Sequence, residues 1–355
     1  MGNGPYKLTD WAFKVRLRLR ASPQYWNREA VGPETVELRY FKQSYQQFLS
    51  YLTGEVDVHL GAALPFNADL LAAARKGQRA DVHPVDAFGT YYFSFNCRPT
   101  LPDGRDNPLA DVRVRKALAL VVDKQQIVER VTRMHQPVAD VFVPRGAIEG
   151  YESPSGLPSL SDAETPAERE AMIQRARDLL AEAGYEDPSQ IPPIELIYNT
   201  GGQHASVVQA LSAMWRDALG VRIRTEVQEW KVYLGRRQAG RFMIARSGWF
   251  GDYGDPTTFL DLFRTDNGNN TTGLADDKYD AMLDRAANMT DPEARLAQLA
   301  QAEAYLLNDR VPILPLFQYR MLHLYNPKRV QGVSHHPRTL QFYHQIKARR
   351  SRDAK

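Results

Sequence analysis

The chain has 355 residues, 43% hydrophobic and 25% charged, which excludes a disordered or fibrous protein; the length also exceeds what one hydrophobic core ordinarily holds, so two lobes are expected. Its 45 Lys and Arg are interspersed with 42 Asp and Glu, leaving a net charge of only +3, and this balance argues against a nucleic-acid partner. The single cysteine, Cys97, excludes an internal disulfide and a multi-thiolate zinc site, and no stretch approaches the ~20 apolar residues of a membrane helix.

Met1 leads into Gly2-Asn3-Gly4-Pro5, not into a charged stretch followed by an apolar run, so no export signal is expected in the chain as written. Phe13, Val15, Leu17 and Leu19 alternate with Lys14, Arg16, Arg18 and Arg20, which predicts a half-buried strand. Strands are also predicted over 35–41, 55–60 and 90–96, with a helix over 44–53. The Pro, Gly, Asp and Asn of 97–108 mark a loop and a lobe boundary. Asp111 is a plausible N-cap for a helix carrying Val114, Leu118, Val121 and Val122, and a second loop over 144–161 precedes a helix over 166–183 that Gly184 ends. Alternation then follows: strand 194–198, helix 204–219, strand 221–227, helix 230–239 and strand 242–246, the pattern of an α/β lobe. Helices over 277–287 and 292–307 and an apolar segment over 312–325 complete the body of the chain.

No GxSxG, HExxH, Walker A or Rossmann glycine pattern is present. His335 and His336 are adjacent, so on a strand they point to opposite faces and do not share a metal, and Cys97 has no local base to lower its pKa. The densest segment is 228–259, which brings Trp230, Arg237, Arg246, Trp249, Asp252, Tyr253 and Asp255, with several glycines, into 32 residues. Aromatic walls, a few charges and accessible backbone describe a pocket. A peptide needs a carboxylate for its ammonium, an arginine fork for its carboxylate, backbone hydrogen bonds and roomy aromatic pockets, and Asp252, Arg246 and Trp249 fit that need. Each also has a plainer reading: Asp252 with Asp255 as helix caps, Arg246 paired with a nearby acid, Trp249 as core.

Several motifs resemble the oligopeptide- and dipeptide-binding proteins of bacterial ABC importers, the family 5 extracellular solute-binding proteins. They are Gly2-Asn3-Gly4-Pro5-Tyr6-Lys7-Leu8, Ser22-Pro23-Gln24-Tyr25-Trp26, Asp111 to Leu118, Leu179 to Tyr185, Tyr198-Asn199-Thr200, Gln228-Glu229-Trp230 and Ala245 to Asp252. The resemblance implies an α/β, two-lobed periplasmic binding protein-like fold of class C (type II), truncated at its N-terminus. It implies a partial β-rich first lobe over 1–95, a second α/β lobe over 96–324, a return to the first lobe over 325–347 and a basic disordered tail over 348–355. It further implies a peptide held in an interlobe cleft that closes at a hinge and is presented to ABC permease subunits. By the same resemblance Asp252 meets the peptide ammonium, Arg246, Arg237 and His204 lie where C-termini are met, and Trp230 and Trp249 line side-chain pockets, with Gly248 and Phe250 completing the ligand wall. Some members link two cysteines across the positions that here read Gly89 and Phe250. The expected protein is a monomeric, non-enzymatic receptor of the periplasm or cell envelope, without cofactor, metal or nucleic acid. The alternatives are a same-fold binder of a dipeptide, nickel chelate or sugar, an inactive remnant, and a peptide hydrolase.

Overall fold

The structure, a computed structural model, describes residues 2–61 and 67–348, and the chain divides into two compact units, Met1–Ala87 with Arg320–Lys355 and Phe88–Tyr319. In the first unit Tyr6–Ala12 (β1), Arg16–Ala21 (β2) and Thr35–Arg39 (β3) form an antiparallel sheet in that order. Of the single strand predicted over 13–20, residues 16–20 lie in β2, whereas 13–15 form the turn of a hairpin. Lys14 has φ 54°, and the Val15 N–H donates to the Ala12 carbonyl at 3.0 Å, so Phe13–Val15 make the turn. The alternation of cation and apolar residue runs through this turn unbroken, which is why periodicity hides the reversal, and Phe13 is left 74% exposed. Arg16 and Arg18 pair across the sheet with Asp10 at 2.6 Å and Glu37 at 2.7 Å. Ser44–Leu52 (α1), the short Val58–His59 (β4) and Asn67–Arg75 (α2) follow.

Val82–Phe95 (β5) carries the chain into the second unit, where Val112–Leu120 (α3) starts with the Asp111 carboxylate accepting the Arg113 N–H at 2.8 Å. Buried Arg115 donates to the carbonyls of Leu109, Ala110, Arg310 and Val311, groups that two irregular turns would otherwise leave without donors. Lys124–Gln126 (α4) and Pro166–Glu182 (α5) come next; Thr165 and Glu168 form a capping box at the start of α5, and Gly184 lies just past its end at φ 93°. The alternating part is Ile194–Asn199 (β6), His204–Leu219 (α6), Ile223–Gln228 (β7), Trp230–Gln238 (α7) and Ile244–Phe250 (β8). Thr257–Leu260 (α8), Asp277–Ala287 (α9) and Pro292–Ala304 (α10) lead to Ile313–Tyr325 (β9), which returns the chain to the first unit. There Val330–Gln331 (β10) pairs with Lys347–Ala348 (β11), and the remainder of the basic tail, 349–355, lies outside the described residues. No described helix is long and apolar enough to cross a membrane.

Within the second unit the strand order is β9-β5-β8-β6-β7, with β5 antiparallel to β8 and β6 parallel to both β8 and β7. Because side chains alternate across a strand, β5 feeds two cores. Tyr91, Phe93 and Phe95 join Leu196, Ile244 and the apolar faces of α3, α5 and α6, while Phe88 and Tyr92 join Phe142, Phe259, Tyr279 and Leu299. Cys97 is partly buried, and burial pushes its thiol up, away from the reactive thiolate.

Candidate functional site

Parallel strands β6 and β8 end side by side, and the helix following β6 begins at His204, so polar groups gather at the carboxyl ends of these strands, where open α/β sheets place ligands. The sequence predicts β8 to stop at Arg246, yet it runs on to Phe250. From the sequence, its glycine is expected to keep backbone accessible; the structure gives Gly248 a further purpose. A Cβ there would lie 2.2 Å from the Tyr319 hydroxyl, so glycine is what lets that ring approach the strand.

Arg246, Gly248 and Phe250 share one face of β8. Arg246 donates to the Tyr319 hydroxyl at 2.8 Å and, at 3.4 Å, reaches the Asn199 side-chain oxygen; its guanidinium lies 4.7 Å from the Tyr91 ring centroid. Tyr91 stacks on Phe317, and Phe250 stacks on Tyr319 with centroids 4.5 Å apart. Phe250 also lies over Gly89, its partner across the β5–β8 ladder. His204 Nδ1 is 3.1 Å from the Tyr91 hydroxyl. Burial, reinforced by the charge of Arg246, pushes the His204 imidazole down to about 3, so it is neutral at ordinary pH and acts as a hydrogen-bonding group there, not as a cation.

Arg237 comes from α7. Its guanidinium lies 5.8 Å from the Tyr233 ring, and it donates to the Thr271 hydroxyl at 3.3 Å. Trp230, 47% exposed, stacks on the same Tyr233, whose hydroxyl donates to the backbone carbonyl of Arg246. Tyr233 thus links the two arginines. Neither arginine has a carboxylate partner among the described residues, and the Nε of each is buried without a hydrogen-bond partner. Burial pushes the Tyr91, Tyr92, Tyr233 and Tyr319 hydroxyls up, so they remain neutral and supply no countercharge.

Trp249 stands apart, on the opposite face of β8 from Arg246. It packs against the Phe142–Phe259 core and donates its indole N–H to the Thr258 carbonyl at 2.7 Å. Its plainer reading, core packing, is thus part of what it does. Asp252 and Asp255 separate cleanly. Asp255 accepts from the Thr257 N–H at 3.0 Å and pairs in bidentate fashion with Arg295, whereas the Asp252 carboxylate is exposed and has no hydrogen-bond or ion-pair partner among the described residues. The residues that sequence reasoning missed as parts of this constellation are Tyr91, Asn199, Tyr233 and Tyr319. The aromatic run at 90–95 and the Tyr198-Asn199-Thr200 motif held the only local signals.

The sequence model described as bacterial extracellular solute-binding proteins, family 5, middle region, matches residues 1–271. The dipeptide-binding protein DppE of Bacillus subtilis is 30% identical over 342 residues, covering 95% of this chain and 58% of its own length. Two solved structures, each 28% identical and covering 98% of this chain and 64% of theirs, superpose well. They are the murein tripeptide binding protein MppA of Escherichia coli, with a TM-score of 0.79, and OppA of Haemophilus influenzae in complex with the peptide RPPGFSPFR, with a TM-score of 0.77. The chain therefore spans less than two thirds of the length of each of these relatives.

Proposed function

This chain belongs to the family 5 bacterial extracellular solute-binding proteins, and we propose that it binds short peptides by their two ends as the solute-binding component of an ABC importer. In this reading Asp252 takes the α-ammonium, and Arg246 or Arg237, according to peptide length, takes the C-terminal carboxylate or an acidic side chain. His204, neutral and fixed by Tyr91, offers a ring N–H to the same end of the ligand. Trp230, Trp249 and Phe250 border side-chain space, and Gly248 leaves backbone within reach of an extended guest. The relatives' names span a dipeptide, a tripeptide and a nonapeptide, which fits a site that reads termini and leaves the middle free. The reading includes delivery of the peptide by a monomer to permease subunits outside the cytoplasm, at the periplasm or envelope, and binding without turnover.

The observation that carries it is a charge imbalance: two guanidiniums half-buried among neutral tyrosines with no acid beside them, and a carboxylate nearby in sequence with no cation. Calorimetry with penta-alanine, free or capped at either end, tests it. N-acetylation or Asp252→Ala, and separately C-amidation or Arg246→Met, are each expected to weaken binding by about 2–5 kcal/mol. Equal affinity for capped and free peptides, binding only of nickel chelates or sugars, or cleavage of a labelled pentapeptide above a buffer blank would refute it.

A further inference from the structure

Four of the chain's eight histidines converge in the first unit, whereas the residues of the proposed site belong to the second. They are His59 on β4, His83 on β5, His323 on β9 and His335 on the segment after β10. His83 stacks on Tyr325 with ring centroids 3.9 Å apart, and its Nε2 is 3.1 Å from the Tyr325 carbonyl oxygen. His335 lies 5.8 Å from His83 and 5.9 Å from His323, centroid to centroid, and its Nε2 is 2.9 Å from the Tyr325 hydroxyl. His323 is fully buried with both ring nitrogens unpartnered, and His59, bonded through Nε2 to Gln47, has a buried and unpartnered Nδ1.

Among the described residues the acid that bears on the cluster, Asp81, is already engaged. Around the cluster stand Gln47 and Tyr51 from α1, Arg79 and Asp81 before β5, and Met321 and Tyr325 from β9. The carboxylate that acts on the cluster is Asp81, which bears on His83 and is itself engaged by Arg79 at 2.7 Å and the Tyr51 hydroxyl at 2.9 Å. No group of three or more His, Cys, Asp or Glu among the described residues is arranged to hold a metal ion. A proton arriving here would leave a cation buried and unpaired, which is among the costliest states a core can hold.

We propose that protonation in this cluster releases β4 and the 326–346 segment from β9 and the start of β5, an acid-sensitive latch confined to the first unit. What it releases is defined by the contacts it secures: the ladder Val58↔Tyr325 and His59↔Leu324, the Tyr325 N–H bond to the Asp81 carbonyl, and the His335–Tyr325 bond. Burial holds His59, His83 and His323 below the ordinary imidazole value, His323 at about 4, and neighbouring histidines add to the effect at His83 and His323. A folded value below the unfolded 6.5 means that the stabilisation is complete above 6.5 and is lost as the pH falls towards 4. From His323 alone, opening at pH 5 should be favoured about 30-fold over pH 7.5.

Hydrogen exchange on the full chain, corrected for intrinsic rates, tests this directly. Between pH 7.5 and 5.0 the protection of 54–60 and 321–346 should fall by about 30-fold or more while 194–199 and 244–250 keep theirs, and His323→Leu should reduce that fall by about 30-fold, leaving only the smaller part due to His59 and His83. If that variant does not fold, imidazole NMR of the unmodified protein serves instead. The His323 ring should then titrate well below the usual histidine range, in step with the loss of amide protection. Equal protection at the two pH values, a response undiminished by His323→Leu, or the same opening produced at pH 7.5 by EDTA alone would overturn the latch.

Discussion

Replacing Arg246 by methionine separates the electrostatics of the unbound protein from those of the complex. The arginine gives the fold a charge-assisted bond to the Tyr319 hydroxyl, about 1.5–3 kcal/mol, and a cation–π contact with Tyr91, about 0.5–2 kcal/mol. Against this stands the desolvation of a guanidinium without a counter-ion, a penalty of several kcal/mol that methionine does not incur. The terms nearly cancel, so the unbound stability of Arg246→Met should lie within about 1 kcal/mol of the parent, a shift of about 2–4 °C in Tm for a unit of this size. Peptide binding should behave quite differently. Losing the partner of a desolvated carboxylate costs about 2–5 kcal/mol, or about 30- to 5000-fold in Kd. Thermal unfolding by circular dichroism, with and without free and C-amidated peptide, reads both quantities. A fall in the unbound Tm of more than about 8 °C would show that the arginine balances a carboxylate within the fold, and the reasoning would fail.

Three further substitutions probe the frame around the site. Gly248→Ala places a methyl where the Tyr319 hydroxyl now sits, so it should lower stability by about 1–3 kcal/mol in urea unfolding and detach Tyr319 from Arg246, weakening binding of free-carboxylate peptides more than of amidated ones. Arg115→Met leaves the carbonyls of Leu109, Ala110, Arg310 and Val311 without their donor and should cost more than about 3 kcal/mol in the same assay, with ligand selectivity among surviving molecules unchanged. Fully buried Glu303 accepts the N–H groups of Phe142 and Val143 at 2.7 Å and the Tyr151 hydroxyl at 2.5 Å, so Glu303→Gln, which turns amide hydrogens towards donors, should cost about 1–3 kcal/mol and speed exchange at 142–143.

How far a residue's role could be read from the sequence follows from how far away its partner lies. The cap at Asp111 and the end of α5 at Gly184 involve partners within a few positions, and both were legible. The alternating elements between Ile194 and Phe250 were legible for the same reason, since period and punctuation are local. The hairpin at Phe13–Val15 was not, because its signal is a backbone angle at Lys14 while the side-chain pattern continues through it. Tyr319 was missed as a partner of Arg246 because 73 positions separate them, and the close approach that requires glycine at 248 was missed because the ring that makes it belongs to β9.

The same logic explains why the decisive property of the site is invisible in a sequence. Asp252 and Asp255 are three residues apart and chemically identical, yet Arg295 and Thr257 claim one of them and leave the other free. Likewise any of 42 acids could have neutralised Arg246 or Arg237, and only the completed fold shows that none of the described ones does. An interaction can be written into neighbouring residues, but a missing one is a property of the whole packed chain, and a missing countercharge is what a receptor must keep for its ligand.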